Sequence, residues 1–222
     1  MTAREFFDEE LRGLQDQLSE LCHFAQRALD RALEAFETQD IQASQEIIDD
    51  DDKADLLYEE IIDNAIMIIT KQQPVATDLR KIIMTIRIAT DFERVADFAV
   101  NIAKSTIRLG KRTDPSMIGV LTNLHRMYEI SNQMLIEGLN AFKEEDVKLA
   151  KIVAEMDDEV DRLYGETIKE LFNIHQKNPD HINYVTQLLF ICRYLERTAD
   201  HITNVAENTV YLVKGKHIDL NE

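Results

Sequence analysis

The chain has 222 residues, 45% of them apolar, and a formal net charge of −17. It can bury a sizeable core, and its charge argues against non-specific binding to nucleic acid or anionic lipid, because both are polyanions. Three Pro and six Gly leave too few turns for an all-β protein, so the chain is expected to be almost wholly helical.

In chain order, Leu11, Leu14, Leu18, Leu21, Ala25, Leu29, Ala32 and Phe36 recur at spacings of three and four and predict a long amphipathic helix over about 5–37. A second helix is expected from about 41 to 70, carrying Ile47, Ile48, Leu57, Tyr58, Ile61, Ile62, Ala65, Ile68 and Ile69. Pro74 restarts the chain. A third helix carries Leu79, Ile82, Ile83 and Ile86 and runs to about Leu109, with Gly110 as its cap. Residues 110–116 read as a linker, after which the order repeats. Helices are expected over about 115–142, 145–176 and 180–214, with Pro179 in the place of Pro74 and the last helix ending near Gly215. The expectation is all-α, two tandem three-helix units over 1–110 and 117–222. The most apolar stretch, Ile61 to Thr70, is interrupted by Asp63 and Asn64 and is far shorter than the roughly 20 residues of a membrane span. With no signal peptide at the acidic start, a cytoplasmic protein is expected. Cys22 and Cys192 stand alone in apolar patterns and read as buried free thiols.

The repeat extends to the polar residues. ERVADFAVNIA (93–103) and ERTADHITNVA (196–206) align at one offset of 103 positions, so Glu93, Arg94, Asp97 and Asn101 recur as Glu196, Arg197, Asp200 and Asn204. On the second helix of each unit, Asp51 and Asp55 recur as Asp157 and Asp161 at an offset of 106. Spacings of four place each set on one side of a helix. In the first unit these acids fall within the apolar stripe; in the second they lie nearer its edge, with Asp157 about 40° from Val153 and Glu196 about 80° from Leu188. Like charges at i, i+4 cost about 0.2–0.5 kcal/mol even in water, and unpaired carboxylates facing a neighbouring helix cost several kcal/mol each. The groups can protonate, pair with Arg or bind a cation. Arg94 and Arg197 point about 100° from the adjacent Glu, toward another helix or the outer face; Arg80 and Arg87 are further candidates. The run Asp49–Asp52, taken alone, reads as a solvated surface. Metal binding accounts for more of the duplicated pattern: carboxylates and an amide, without His or Cys, form a hard oxygen site for Mg, Ca, Mn or Fe.

Other chemistry is thin. Glu20 and His23 have an i, i+3 spacing used in di-iron bundles, but only one copy exists, so His23 is expected to pack ordinarily. His201 follows Asp200, but its counterpart is Phe98, which argues against a required ligand. His125, His175, His181 and His217 show no partner pattern. No phosphate-binding loop, dinucleotide fingerprint or nucleophile elbow accompanies the acids, and an enzyme is not expected.

QPVATDLRKI (73–82), the two ERxAD motifs and the acidic pairs, in this order and in duplicate, resemble the PhoU family over nearly the whole chain. The resemblance implies two three-helix bundles related by an internal pseudo-twofold. It implies multinuclear metal clusters of divalent or trivalent ions, iron in particular, with zinc, manganese and magnesium as other occupants. The ligands carried over are Asp51, Asp55, Glu93, Asp97 and Asn101 for one cluster and Asp157, Asp161, Glu196, Asp200 and Asn204 for the other. It also implies a non-enzymatic negative regulator of phosphate uptake and phosphate signalling. Such a protein couples a phosphate transporter's ATPase subunit to a sensor histidine kinase, as a homodimer and without nucleic acid. A metal-binding accessory subunit of a different class of phosphate transporter is the alternative. Phe98 stands where many members have His, and Thr198-Ala199 replaces the commoner Ile-Gly; neither change removes an oxygen ligand.

Overall fold

The apolar stripes form the expected helices. The structure, a computed structural model, describes residues 3–109, 117–216, 218 and 220; the predicted linker and the Gly110 cap lie outside them. The helices among the described residues are α1 (Ala3–Thr38), α2 (Ile41–Asp49), α3 (Asp52–Gln72), α4 (Ala76–Leu109), α5 (Ile118–Lys143), α6 (Val147–Lys177) and α7 (Ile182–Lys214), with a 3-10 turn at Pro179–His181. No helix among the described residues is long and apolar enough to cross a membrane. In α1, Leu14, Leu18, Leu21, Ala25, Leu29, Ala32 and Phe36 are all buried, as the spacing requires.

The predicted second helix is two helices. It breaks at Asp50–Asp51, whereas α6 runs unbroken through the equivalent Met156–Asp157. The cause is local electrostatics. Four consecutive acids at 49–52 repel along a helix, and Asp50 instead turns outward to Arg31 at 3.0 Å and Lys53 at 2.7 Å. Met156 has no such alternative and packs on the core.

The turns that open the second helix of each unit share their backbone geometry. Gln39 and Glu145 both take φ of 54°. Asp40 N–H donates to Ala35 O at 2.9 Å, as Asp146 N–H does to Ala141 O at 2.9 Å. Both aspartates then cap the next helix, Asp40 accepting from Ala43 N–H and Asp146 from Lys148 and Leu149 N–H. After α3, Gln73 caps in the left-handed region at φ 47°, and α4 starts only at Ala76, beyond Pro74. Gly215 ends α7 at φ 66°, its N–H on Tyr211 O at 2.8 Å, as expected.

Helices α4 and α7 form the centre. They share the most extensive helix pairing in the molecule; α1, α2 and α3 flank α4, and α5 and α6 flank α7. The middle of α4 is buried nearly all round, from Ile88 through Ala89, Phe92, Val95, Ala96, Ala99 and Val100 to Ala103. One contiguous core runs through both units. Gly138 on α5 lets α7 approach closely: a Cβ there would lie 3.1 Å from Ile202 Cγ2 and 3.7 Å from Val205 Cγ1. Gly138→Val is therefore expected to cost about 1–3 kcal/mol by overpacking, read as a lowered denaturant midpoint; an unchanged midpoint would show slack between α5 and α7.

Candidate functional site

The structure gathers the first four acids across the α2–α3 turn and α4. Asp51 is raised in pKa by burial first and then by Asp97 and Asp55, with Lys104 opposing. Glu93 is raised by burial, then by Asp97, with Arg94 opposing and Asp55 and Asp51 adding. Asp55 itself is exposed and Glu93 is buried. Of the two expectations for Arg94, another helix or the outer face, the second fits: it is exposed and stays on α4, its Nε 3.3 Å from Glu93 Oε2 and its Nη1 2.6 Å from Asp97 Oδ2. One cation thus spans both α4 carboxylates. Asn101 turns its amide N–H back to Asp97 O at 2.9 Å.

The second set joins α6 to α7. Asp157 is 4% exposed, and burial, with Asp161 and Asp200 adding, pushes its carboxyl up to about 7. Asp161 and Glu196 are raised by burial first and then by Asp200. Helical periodicity places the first set deeper, yet Asp157 lies deeper than Asp51. The break after Asp49 puts Asp51 at a helix start, half-buried, whereas Asp157 sits mid-helix in unbroken α6. Asp157 Oδ1, Glu196 Oε2 and Thr203 Oγ1 are buried without hydrogen-bond partners. The Thr203 hydroxyl stands close enough to Asp157 to hold its pKa down somewhat, but makes no well-formed bond to it.

The counter-ion here is Arg193, absent from the motif reading. Its Nη1 meets Glu196 Oε1 at 2.5 Å, while the guanidinium lies over the Tyr164 ring of α6 at 5.8 Å. Arg193 corresponds to Thr90 in the first unit, so a search for repeated residues passes over it. Arg197, the true counterpart of Arg94, is exposed and makes no ion pair among the described residues. Arg80, another predicted counter-ion, instead donates to Leu212 O at 3.1 Å and covers Tyr211.

Asn204 is not turned to the second set. It donates from Nδ2 to Asp91 Oδ1 at 3.3 Å, and His201 Nδ1 lies 2.9 Å from the same oxygen. Asp91 is buried on α4, so this contact joins the two units. The sequence reading missed Asp91 because its counterpart is Tyr194; the available signal was an acid on an otherwise apolar face. His125, which shows no partner pattern in the sequence, meets Glu37 of the other unit at 2.6 Å. His23 is exposed rather than packed. Cys22 and Cys192 are free and buried, and burial pushes both thiols up to about 12.

Among the described residues no group of three or more His, Cys, Asp or Glu converges tightly enough to hold a metal ion as the side chains stand. Like charges splay apart, and Arg94 and Arg193 hold one oxygen of each carboxylate they pair. The donor chemistry nevertheless suits a hard cation: all candidate ligands are oxygen, and two buried carboxylate oxygens of the second set have no other partner.

The PhoU domain pattern matches residues 18–106 and 124–209, the two halves just described. The chain is similar to the phosphate-specific transport system accessory protein PhoU homolog of Clostridium acetobutylicum, 38% identical over 99% of both chains. It is also similar to the protein of the same description from Rhizobium meliloti, 34% identical over 94% of this chain and 87% of that one. Among solved structures it is similar to PhoU from Pseudomonas aeruginosa (TM-score 0.88, 29% identity, 95% of this chain, 100% of that one). The phosphate transport system regulatory protein PhoU from Streptococcus pneumoniae gives a TM-score of 0.88 at 28% identity, covering 96% of this chain and 99% of that one. With both halves matched and relatives aligned from end to end, the chain belongs to the PhoU family.

Proposed function

We infer that this chain is a non-enzymatic accessory protein of phosphate transport. It restrains uptake and phosphate-responsive signalling from the cytoplasm, and its helical surface docks a transporter ATPase subunit, a sensor histidine kinase or both, as a homodimer. Family membership supports the process. The observation that carries the biochemical reading is the pair of acid clusters at equivalent places in the two repeats, one with buried oxygens lacking any partner. In this reading Asp51, Asp55, Glu93 and Asp97, and Asp157, Asp161, Glu196 and Asp200, hold metal ions, iron or another divalent or trivalent cation. Asn101 is available at the edge of the first set. When bound, the ions supply positive charge that offsets carboxylate repulsion and ties α3 to α4 and α6 to α7. The chain's own residues set the donor geometry and exclude water.

Elemental analysis of protein purified without chelator tests this. Bound transition metal is expected, and Asp97→Ala and Asp200→Ala should each lower its stoichiometry by about the content of one site. Unchanged content in both variants removes these residues as ligands. In cells lacking the chain, phosphate uptake under phosphate-replete conditions should rise and return to normal when the chain is restored; unaltered uptake would reject the regulatory role.

A further inference from the structure

The two acid clusters are equivalent by position but not by counter-ion. In the first, Arg94 engages an oxygen of Glu93 at 3.3 Å and one of Asp97 at 2.6 Å, the two carboxylates that α4 contributes. Lys104 adds positive charge near Asp51. The equivalent arginine of the second repeat, Arg197, makes no ion pair among the described residues. Arg193 pairs with Glu196 Oε1 and also lies over the Tyr164 ring; on Asp161 it acts only through space, as Arg197 does on Glu196. Asp200 has no ion pair among the described residues, and Asp157 Oδ1 and Glu196 Oε2 are buried without a well-formed hydrogen bond, the Thr203 hydroxyl being the group nearest in effect to Asp157. The second cluster is also drier: Asp157 is 4% exposed, and Asp51 is only half-buried.

A cation entering the second cluster meets oxygens already desolvated and unmatched. Coulomb attraction is strongest where water is excluded, and the one ion pair to be broken, Arg193 on Glu196 Oε1, holds a single carboxylate. A cation entering the first cluster must displace a guanidinium that spans two carboxylates, so its net gain is smaller by the strength of those charge-assisted bonds.

We propose that the two clusters load in sequence, the second-repeat cluster first. The first-repeat cluster is guarded by Arg94, an internal counter-ion that an incoming metal must move. The inference rests on the metal-binding reading above and adds order and a gate to it. Moving Arg94, whose side chain is already half exposed, would free its guanidinium from Glu93 and Asp97.

The test is titration of the metal-free full chain with manganese(II) chloride, following free Mn(II) by its electron paramagnetic resonance signal and bound Mn(II) by calorimetry. Two classes of site are expected, separated by about tenfold or more in Kd. Asp200→Asn should abolish the tight class and Asp97→Asn the weak one. Arg94→Met, which keeps the length of the side chain and removes its charge, should tighten the weak class by about tenfold and leave the tight class in place. Arg197→Met should move neither class by more than about twofold. A single class in the wild-type chain, or loss of the tight class in Asp97→Asn, would overturn the order. An unchanged or weakened second class in Arg94→Met, with circular dichroism showing a folded protein, would overturn the gate. Failure of the wild-type chain to bind Mn(II), iron(II) or zinc(II) at all would overturn the metal reading itself, and the sequential proposal with it.

Discussion

Replacing Phe92 by alanine is expected to lower the unfolding free energy by about 3–5 kcal/mol, a large share of the about 5–15 kcal/mol that holds a typical domain together. Phe92 is fully buried, in the part of α4 that is buried nearly all round. Its ring belongs to the single core that runs through both repeats. The vacated space cannot collapse easily, because α4 is fixed on one side by α1 and on the other by α7. Because the core is continuous, the loss should appear as a shift of one cooperative transition in urea, not as a split into two. Two separated transitions, with only the first repeat affected, would show that the repeats unfold independently and would contradict the shared core. Phe6→Ala is the control: its ring is 46% exposed at the outer end of α1, and the expected change is within about 0.5 kcal/mol.

The helices were legible because burial follows periodicity. Leu14, Leu18, Leu21 and Ala25 had to share a face, and they do. The break at Asp50 was not legible, because periodicity reports which side chains share a face and says nothing about an acid that prefers Arg31 and Lys53 to its place in the helix. That single break also reversed the expected depths of Asp51 and Asp157, since it placed Asp51 at a helix start and left Asp157 in the interior. The repeat was the strongest signal for the eight acids, and the structure brings each four together. The same signal hid the residues that differ between repeats. Arg193 faces Glu196 where the first repeat has Thr90, and Asp91 faces His201 and Asn204 where the second has Tyr194. Asymmetry between copies is invisible to a search for what the copies share. A signal in plain view was passed over: Ala35-Phe36 and Asp40 recur as Ala141-Phe142 and Asp146, and they build the two matched turns.

Asp157 should make the metal-free protein lose stability as pH rises. Its folded pKa, about 7, stands above the ordinary 3.8 because burial, then Asp161 and Asp200, disfavour the charged form. Between those two values the folded chain binds more protons than the unfolded one, so each step up in pH favours unfolding. The stabilisation is fully present below about pH 4 and is lost by about pH 7. Allowing for solvent screening, the loss is about 2 kcal/mol from this group; Asp51, Glu93, Asp161 and Glu196, all raised by burial, add in the same direction. Asp157→Asn keeps the shape and removes the titration. In EDTA the variant should match the wild-type chain near pH 4 and exceed it by about 2 kcal/mol at pH 8. Added Mn(II) should reverse the order at pH 8, because a ligand bound only by the folded state contributes about 2.7 kcal/mol at a hundredfold excess over Kd, and the variant has lost a donor. Urea midpoints at the two pH values, with and without the metal, read all four cases. If the variant is no more stable than the wild-type chain at pH 8 in EDTA, Asp157 is not the strained carboxylate that burial makes it. If that gain is seen but Mn(II) does not reverse it, the strain is real and protonation, not a cation, relieves it.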